Sequence, residues 1–379
     1  MPRRLAVLIF LPLLALVASA AEAKPRARDL GVPFDGAPGP LNAITDVAGI
    51  EVGQTTLIHG EGKLVVGDGP VRTGVTAILP RGRANRAPVF AGWFSLNGNG
   101  EMTGTAWVEE SGVLDGPIVL TNTHSVGVAR DAVIAWQVQH SRPGEIWWSL
   151  PVVAETWDGW LNDINGFHVK PGHVFAALDS AKGGPVEEGG VGGGTGMICH
   201  EFKGGIGTSS RLAGKYTVGV LVQANYGVRD ELRIAGVPVG REIPEGTFKP
   251  RETGSILIII ATDAPLLPHQ LKRLARRATL GLARDGSYSG DGSGDLFLAF
   301  STANAVPSRE QRTGEVTLLS NDVIDPLFLA TVRATEEAII NALVAGETMK
   351  GRDDHVALGL PHDRLRAILK KYGRLVEKP

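Results

Sequence analysis

A glycine–serine step, Gly254-Ser255, closes a polar loop and opens the most apolar run of the chain, SILIIIAT. A cut between these two residues would give Ser255 a free α-amine beside its own hydroxyl. Such an amine has a pKa of about 8, so near neutral pH it can take up and return a proton. Glycine ahead of the serine admits the backbone twist that brings a serine Oγ onto the preceding carbonyl. The apolar run, read as a strand, would hold that Oγ rigidly. An ordinary turn is the competing reading of the same residues, and taken alone the step does not separate the two.

The other chemistry-bearing patterns are mostly exclusions. Gly189–Gly196 (GGVGGGTG) is neither a G-x-x-x-x-G-K-[ST] loop nor a G-x-G-x-x-G fingerprint. It reads as a tight loop that lets two backbones approach. The nine histidines form no H-E-x-x-H, and His168 and His173 are five apart, which is not a helical pair. There is no G-x-S-x-G elbow. Asp353-Asp354-His355 reads as a solvated charged turn. The single cysteine, Cys199, excludes an intrachain disulfide and a Cys-based zinc site.

Something must position Ser255, and composition allows a packed scaffold. The 379 residues are 43% hydrophobic and 21% charged, which suits one large domain or two ordinary ones. A net charge of -2 supplies no field to attract nucleic acid or an anionic membrane. Residues 1–23 pair Arg3 and Arg4 with an apolar run and an Ala21-Glu22-Ala23 cleavage pattern, so they read as a secretory signal peptide. Cleavage is expected near Ala23, with Ala20 the alternative, leaving a soluble protein exported to a bacterial periplasm. Residues 24–45 read as an extended arm. Strands are predicted over Val71–Leu79, Pro88–Phe94, Pro117–Thr121, Tyr216–Gln223, Ser255–Thr262 and Leu296–Ser301 from β-branched content and run length. Helices are predicted over Asp131–His140, Leu150–Asn162, Asp325–Ala345 and His362–Tyr372, and one that Pro268 opens and Gly286 stops. A polar loop spans about Pro238–Gly254. The sum is a mixed α/β chain with helices on the outside.

The residues around and beyond Ser255 carry a further signal. The block SILIIIATDAPLLPHQLKRLARRATLGLARDGSYSGDGSGDLFLAFSTAN resembles the β-peptidyl aminopeptidase and L-aminopeptidase D-Ala-esterase/amidase family, self-processing N-terminal-nucleophile-like serine peptidases. So do LNAITDVAGIEVGQTT (41–56), LPVVAETWDGWLND (150–163), HVFAALDSAKGGPVEEGGVGGGTGM (173–197), FKGGIGTSSR (202–211), YTVGVLVQANYG (216–227), RIAGVPVG (233–240) and ATEEAIINALVAGETM (334–349), in family order. The resemblance covers essentially the whole chain after the signal segment.

The resemblance implies a four-layer αββα sandwich, N-terminal-nucleophile-hydrolase-like, a single domain cleaved at Gly254-Ser255 into an α chain (24–254) and a β chain (255–379). It implies Ser255 as nucleophile, Ser293 as a second essential serine, and Asp295 as its acidic partner, a position that is Glu in other members. Asn225 matches the oxyanion-hole donor and Glu155 the carboxylate that holds a substrate ammonium. Trp157 falls where members differ in lining the pocket. No metal or organic cofactor is implied. The expected substrates are short peptides, amides or esters with a free amino terminus, including those that begin with β-amino acids or D-Ala. The expected assembly is a homo-oligomer, a tetramer of αβ units. Two other readings stay open: acyl transfer of the ornithine-acetyltransferase type, which uses a threonine nucleophile, and an uncleaved periplasmic binding protein.

Overall fold

The computed structural model describes residues 24–248, 251–307 and 311–377; the expected signal segment, 1–23, lies outside them. Unbroken aliphatic runs form strands buried on both faces, and two sheets result. The first has the order β1 (Glu51–His59), β2 (Val71–Leu79), β5 (Ile118–Asn122), β6 (Val152–Thr156). The second has the order β4 (Val113–Leu114), β3 (Val89–Ser95), β12 (Ser293–Ser301), β11 (Gly254–Thr262), β10 (Tyr216–Asn225), β9 (Gly205–Ala213). Only the β5–β6 and β11–β12 pairs of these sheets are parallel. Two small ribbons pair β7 (Ile198–Cys199) with β8 (Phe202–Lys203) and β13 (Met349–Lys350) with β14 (Val356–Ala357). The helices are α1 (Thr105–Ser111), α2 (Val126–Gln139), α3 (Pro171–Asp179), α4 (Val239–Glu242), α5 (Pro268–Arg284), α6 (Asp325–Val344) and α7 (His362–Lys371).

Side-chain alternation along the strands sorts the core into layers. On β11, Ile256, Ile258 and Ile260 pack with Leu271 and Leu274 of α5 and Ile339 and Leu343 of α6. Leu257, Ile259 and Ala261 face the other way and meet Ile78, Ile118, Leu120 and Val152 of the first sheet. That sheet's outer face, with Val75, Ala77, Val119 and Val153, is covered by Val133 and Trp136 of α2 and Val174 and Leu178 of α3. The result is the αββα sandwich that the family resemblance implied.

One expectation is corrected. Residues 150–162 are not a helix. Val152–Thr156 is the five-residue strand β6, parallel to β5, and Asp158 to Asn162 forms a turn closed by Leu161 and Asn162 N–H groups on the Asp158 carbonyl. The β-branched Val152, Val153 and Thr156 suit a strand with both faces covered, which shows no polar alternation. The arm from residue 24 is held on the core by ion pairs. Arg26 pairs with Glu188 at 2.8 Å, and Arg28 and Arg211 both pair with the fully buried Glu337 of α6. Burial pushes the Glu337 pKa up, but the hydrogen bond from Arg28 and the charges of Arg211 and Arg28 outweigh it and hold the pKa low.

Truncating a side chain between the sheets tests this layering. Leu257→Ala is expected to lower unfolding stability by about 3 kcal/mol, as for other buried leucines, with an unchanged denaturant slope. Leu212→Ala, at a half-exposed site of β9, is expected to cost less than about 0.5 kcal/mol. Equal effects in urea titrations would contradict the assigned layers.

Candidate active site

Strand register brings residues far apart in sequence to one end of the second sheet. Parallel pairing of β11 with β12 sets Gly254 opposite Ser293, Ser255 opposite Gly294 and Ile256 opposite Asp295. Antiparallel pairing with β10 sets Ser255 opposite Asn225. Ser255 is 5% exposed, and its Oγ accepts the Gly294 N–H at 3.1 Å. Gly254 has φ +116, and a Cβ there would fall 2.0 Å from the Asn225 carbonyl oxygen, so only glycine fits ahead of the serine.

Behind Ser255 lies a buried polar relay. Ser293 donates its hydroxyl proton to Asp295 Oδ1 at 2.7 Å, and the Ile256 N–H reaches the same oxygen at 3.3 Å. Asn97 clamps Asp295 from the loop after β3. Its Oδ1 accepts the Asp295 N–H at 2.6 Å, and its Nδ2 donates to Asp295 Oδ2 at 3.3 Å. Burial raises the Asp295 pKa, and the hydrogen bonds from Ser293, Ser289, Ile256 and Asn97 pull against that.

Asn225 is oriented by its neighbours. Its Oδ1 accepts the Ile198 N–H at 2.8 Å, which leaves Nδ2 as the donor; that group meets the Trp157 carbonyl at 2.9 Å. The loop that presents Ile198 is pinned from inside by Lys203, whose buried Nζ donates to the carbonyls of Gly194, Met197 and Gly204 at 2.8–3.1 Å. Burial lowers the Lys203 pKa to about 7. The glycine stretch does bring backbones together. A Cβ on Gly193 would fall 2.7 Å from the Leu120 carbonyl oxygen, and one on Gly194 2.4 Å from Ile206 N.

Glu155 is the penultimate residue of β6 and is 3% exposed. Its Oε1 accepts the Glu101 N–H at 3.0 Å, and its Oε2 accepts the Thr123 hydroxyl. Burial raises its pKa against these two hydrogen bonds. Trp157 follows at the strand end and is half-exposed. Ser255, Asn225, Glu155, Trp157 and Gly254 all line one cavity of about 760 Å³. Ser293 and Asp295 do not line it and sit behind Ser255. The arrangement places a hydroxyl, an amide donor and a carboxylate around one space, which suits acyl chemistry on a molecule that carries a cation.

Several contributors are not among the residues assigned from the sequence. Trp160 stacks on Phe248 at 4.6 Å and on His355 at 3.9 Å between ring centroids, and Trp160 and Phe248 form a cavity wall. Asn97 and Glu101 lie in LNGNGE (96–101), a polar turn after an apolar strand, and that density of turn residues is the signal that was available. Among the described residues no group of three His, Cys, Asp or Glu side chains is placed to hold a metal.

The Asp158 carboxylate is fully buried behind the Trp157 turn and accepts from Asn122 and Asn162, both at 3.0 Å. Burial raises its pKa to about 6 despite hydrogen bonds from Thr73, Asn122 and Asn162. In the unfolded chain the group titrates near 3.9. The folded state therefore holds this proton to higher pH. Stability from it is full below about pH 4 and is lost as pH rises through about 6, by about 3 kcal/mol. The stability difference between the wild type and Asp158→Asn should shift by that order between pH 4 and 7. A pH-independent difference would refute the assignment.

The geometry can be set beside known proteins. The model of Peptidase family S58 matches residues 42–357. Beta-peptidyl aminopeptidase BapA of Sphingosinicella microcystinivorans is 58% identical over 381 residues, covering 95% of this chain and 96% of the relative. The protein of the same name from Sphingosinicella xenopeptidilytica is 52% identical over 379 residues, covering 94% of each. The solved L-aminopeptidase D-Ala-esterase/amidase of Ochrobactrum anthropi, described as a prototype for the serine aminopeptidases and a new variant of the Ntn hydrolase fold, superposes with a TM-score of 0.88 at 49% identity. That match covers 93% of this chain and all of the other. The chain belongs to peptidase family S58 and is a serine aminopeptidase.

Proposed function

We propose that this aminopeptidase is exported, cleaves itself between Gly254 and Ser255, and releases N-terminal residues, β-amino acids and D-Ala among them, from short peptides, amides or esters. The observation that carries the reading is the shared cavity: the Ser255 hydroxyl and the buried Glu155 carboxylate face one space. The names of the two Sphingosinicella relatives support the β-peptide substrates, and that of the Ochrobactrum neighbour supports D-Ala esters and amides. The composition of residues 1–23 supports export to a periplasm, and four αβ units remain the expected assembly.

In maturation the Ser255 Oγ attacks the Gly254 carbonyl carbon. The Gly254–Ser255 C–N bond breaks, and the Ser255 nitrogen leaves as an amine, giving an ester. Water then hydrolyses the ester, leaving a carboxylate at Gly254 and a free α-amine on Ser255. In turnover the same Oγ attacks the substrate carbonyl, and the α-amine takes the hydroxyl proton, aided by Ser293 and Asp295. Asn225 Nδ2 donates to the developing oxyanion once it releases the Trp157 carbonyl. The proton passes to the leaving amine or alcohol, and water frees the acyl group. Glu155 binds the substrate ammonium. That cation also stabilises a carboxylate whose ionisation burial opposes.

Intact masses under denaturing conditions test maturation. The wild type should give two chains, one ending at Gly254 and one beginning at Ser255. Ser255→Ala should give a single uncut chain with no hydrolytic activity. A cut or active Ser255→Ala protein would overturn the mechanism. An uncut wild type that binds amino amides without turnover would favour the binding-protein reading.

Glu155→Gln tests the ammonium site. It should lower kcat/KM for unblocked amides about a hundredfold or more, since an amide leaves the buried cation without its counter-charge. N-acetylated substrates should be refused by the wild type. Turnover of blocked and free substrates at equal rates would reject the assignment.

A further inference from the structure

The cavity lining places a second carboxylate, Glu101, beside Glu155. Among the described residues its lining carries two charged side chains, Glu155 and Glu101, and no Lys, Arg or His. His124 acts electrostatically on Glu155 but is stacked on Phe167 and does not line the cavity. Glu155 is buried and hydrogen-bonded at both oxygens. Glu101 is exposed to the cavity, and its carboxylate has no hydrogen-bond donor or cationic partner among the described residues. The two are coupled, since the Glu101 N–H binds Glu155 Oε1 and its charge opposes ionisation of Glu155. Trp157, Trp160 and Phe248 supply aromatic surface in the same space.

We propose that Glu101 is a specificity-determining residue that selects substrates whose N-terminal residue carries a second cation, as lysyl and ornithyl residues and their β-homologues do. The α- or β-ammonium pairs with Glu155. Because Glu101 is tied to Glu155 through its own backbone, a second cation that reaches it belongs to the same substrate residue. That cation gains charge pairing in a cavity that the half-exposed Trp157 also lines, and an indole face attracts cations. The inference rests on the aminopeptidase reading for turnover, but the selectivity is also readable in binding alone.

The test compares lysyl and norleucyl p-nitroanilides, which differ by one ammonium group, in the α- and β-homologated series. The mature wild type should favour the lysyl substrate about tenfold in kcat/KM at low salt, with the preference shrinking as salt is added. Glu101→Gln should bring the ratio to about one, and Glu101→Asp should restore part of it. In parallel, lysinol and norleucinol, which have no scissile carbonyl, are titrated against tryptophan emission. Lysinol should bind about tenfold more tightly, and only while position 101 is acidic. Normal turnover with no lysyl preference, or a preference that survives Glu101→Gln, overturns the inference and leaves the aminopeptidase reading intact. Absent turnover with a lysinol preference that depends on Glu101 overturns the turnover mechanism and leaves the selectivity standing.

Discussion

The register of β11 between β10 and β12 is the constraint on which the site depends. Ser255, Ser293, Asp295 and Asn225 come from three strands, and no loop brings them together. Their meeting follows from which residue pairs with which. A slip of one residue would exchange Ile256, Ile258 and Ile260 with Leu257 and Ile259, moving every side chain to the opposite layer. Both layers are fully packed, so the register is set by burial on two faces at once, and the polar residues at the strand ends inherit that precision.

The same burial makes the site costly to build. Asp295, Glu155 and Asp158 are all carboxylates with raised pKa values, and burial is the leading cause for each. Each is nonetheless held by donors, from Asn97 and Ser293, from Thr123 and the Glu101 backbone, and from Asn122 and Asn162. This satisfaction keeps the groups ionisable inside a largely apolar sandwich. Lys203 plays the complementary part, satisfying the carbonyls of Gly194 and Met197 beside the glycine stretch and of Gly204 next to itself.

How much was legible depended on whether the signal was local. The apolar runs at Val71–Leu79 and Ser255–Thr262 and the amphipathic helix from Pro268 are visible in the sequence, because their burial pattern is written within one element. Residues 150–162 misled because five strand residues followed by a turn mimic helical spacing when both strand faces are apolar. Gly254-Ser255 alone could not be told from a turn; only its neighbours in family order set it apart. Asn97 and Lys203 act across sequence gaps or through backbone carbonyls, and no spacing rule points to such contacts.

The second sheet also bears on what a divided chain would be. Its order runs β4, β3, then β12, β11, then β10, β9. Strands from before Gly254 thus flank on both sides the two strands from after it. The buried Glu337 of α6 is likewise clasped by Arg28 and Arg211 from the earlier part. Were the bond at Gly254 broken, the earlier piece would keep the first sheet but only the outer strands of the second, the later piece would hold the second sheet's two central strands, and dilution alone would have no folded monomer to release. The pieces would then form an obligate heterodimer assembled as one chain, their association inherited from the folding of the precursor.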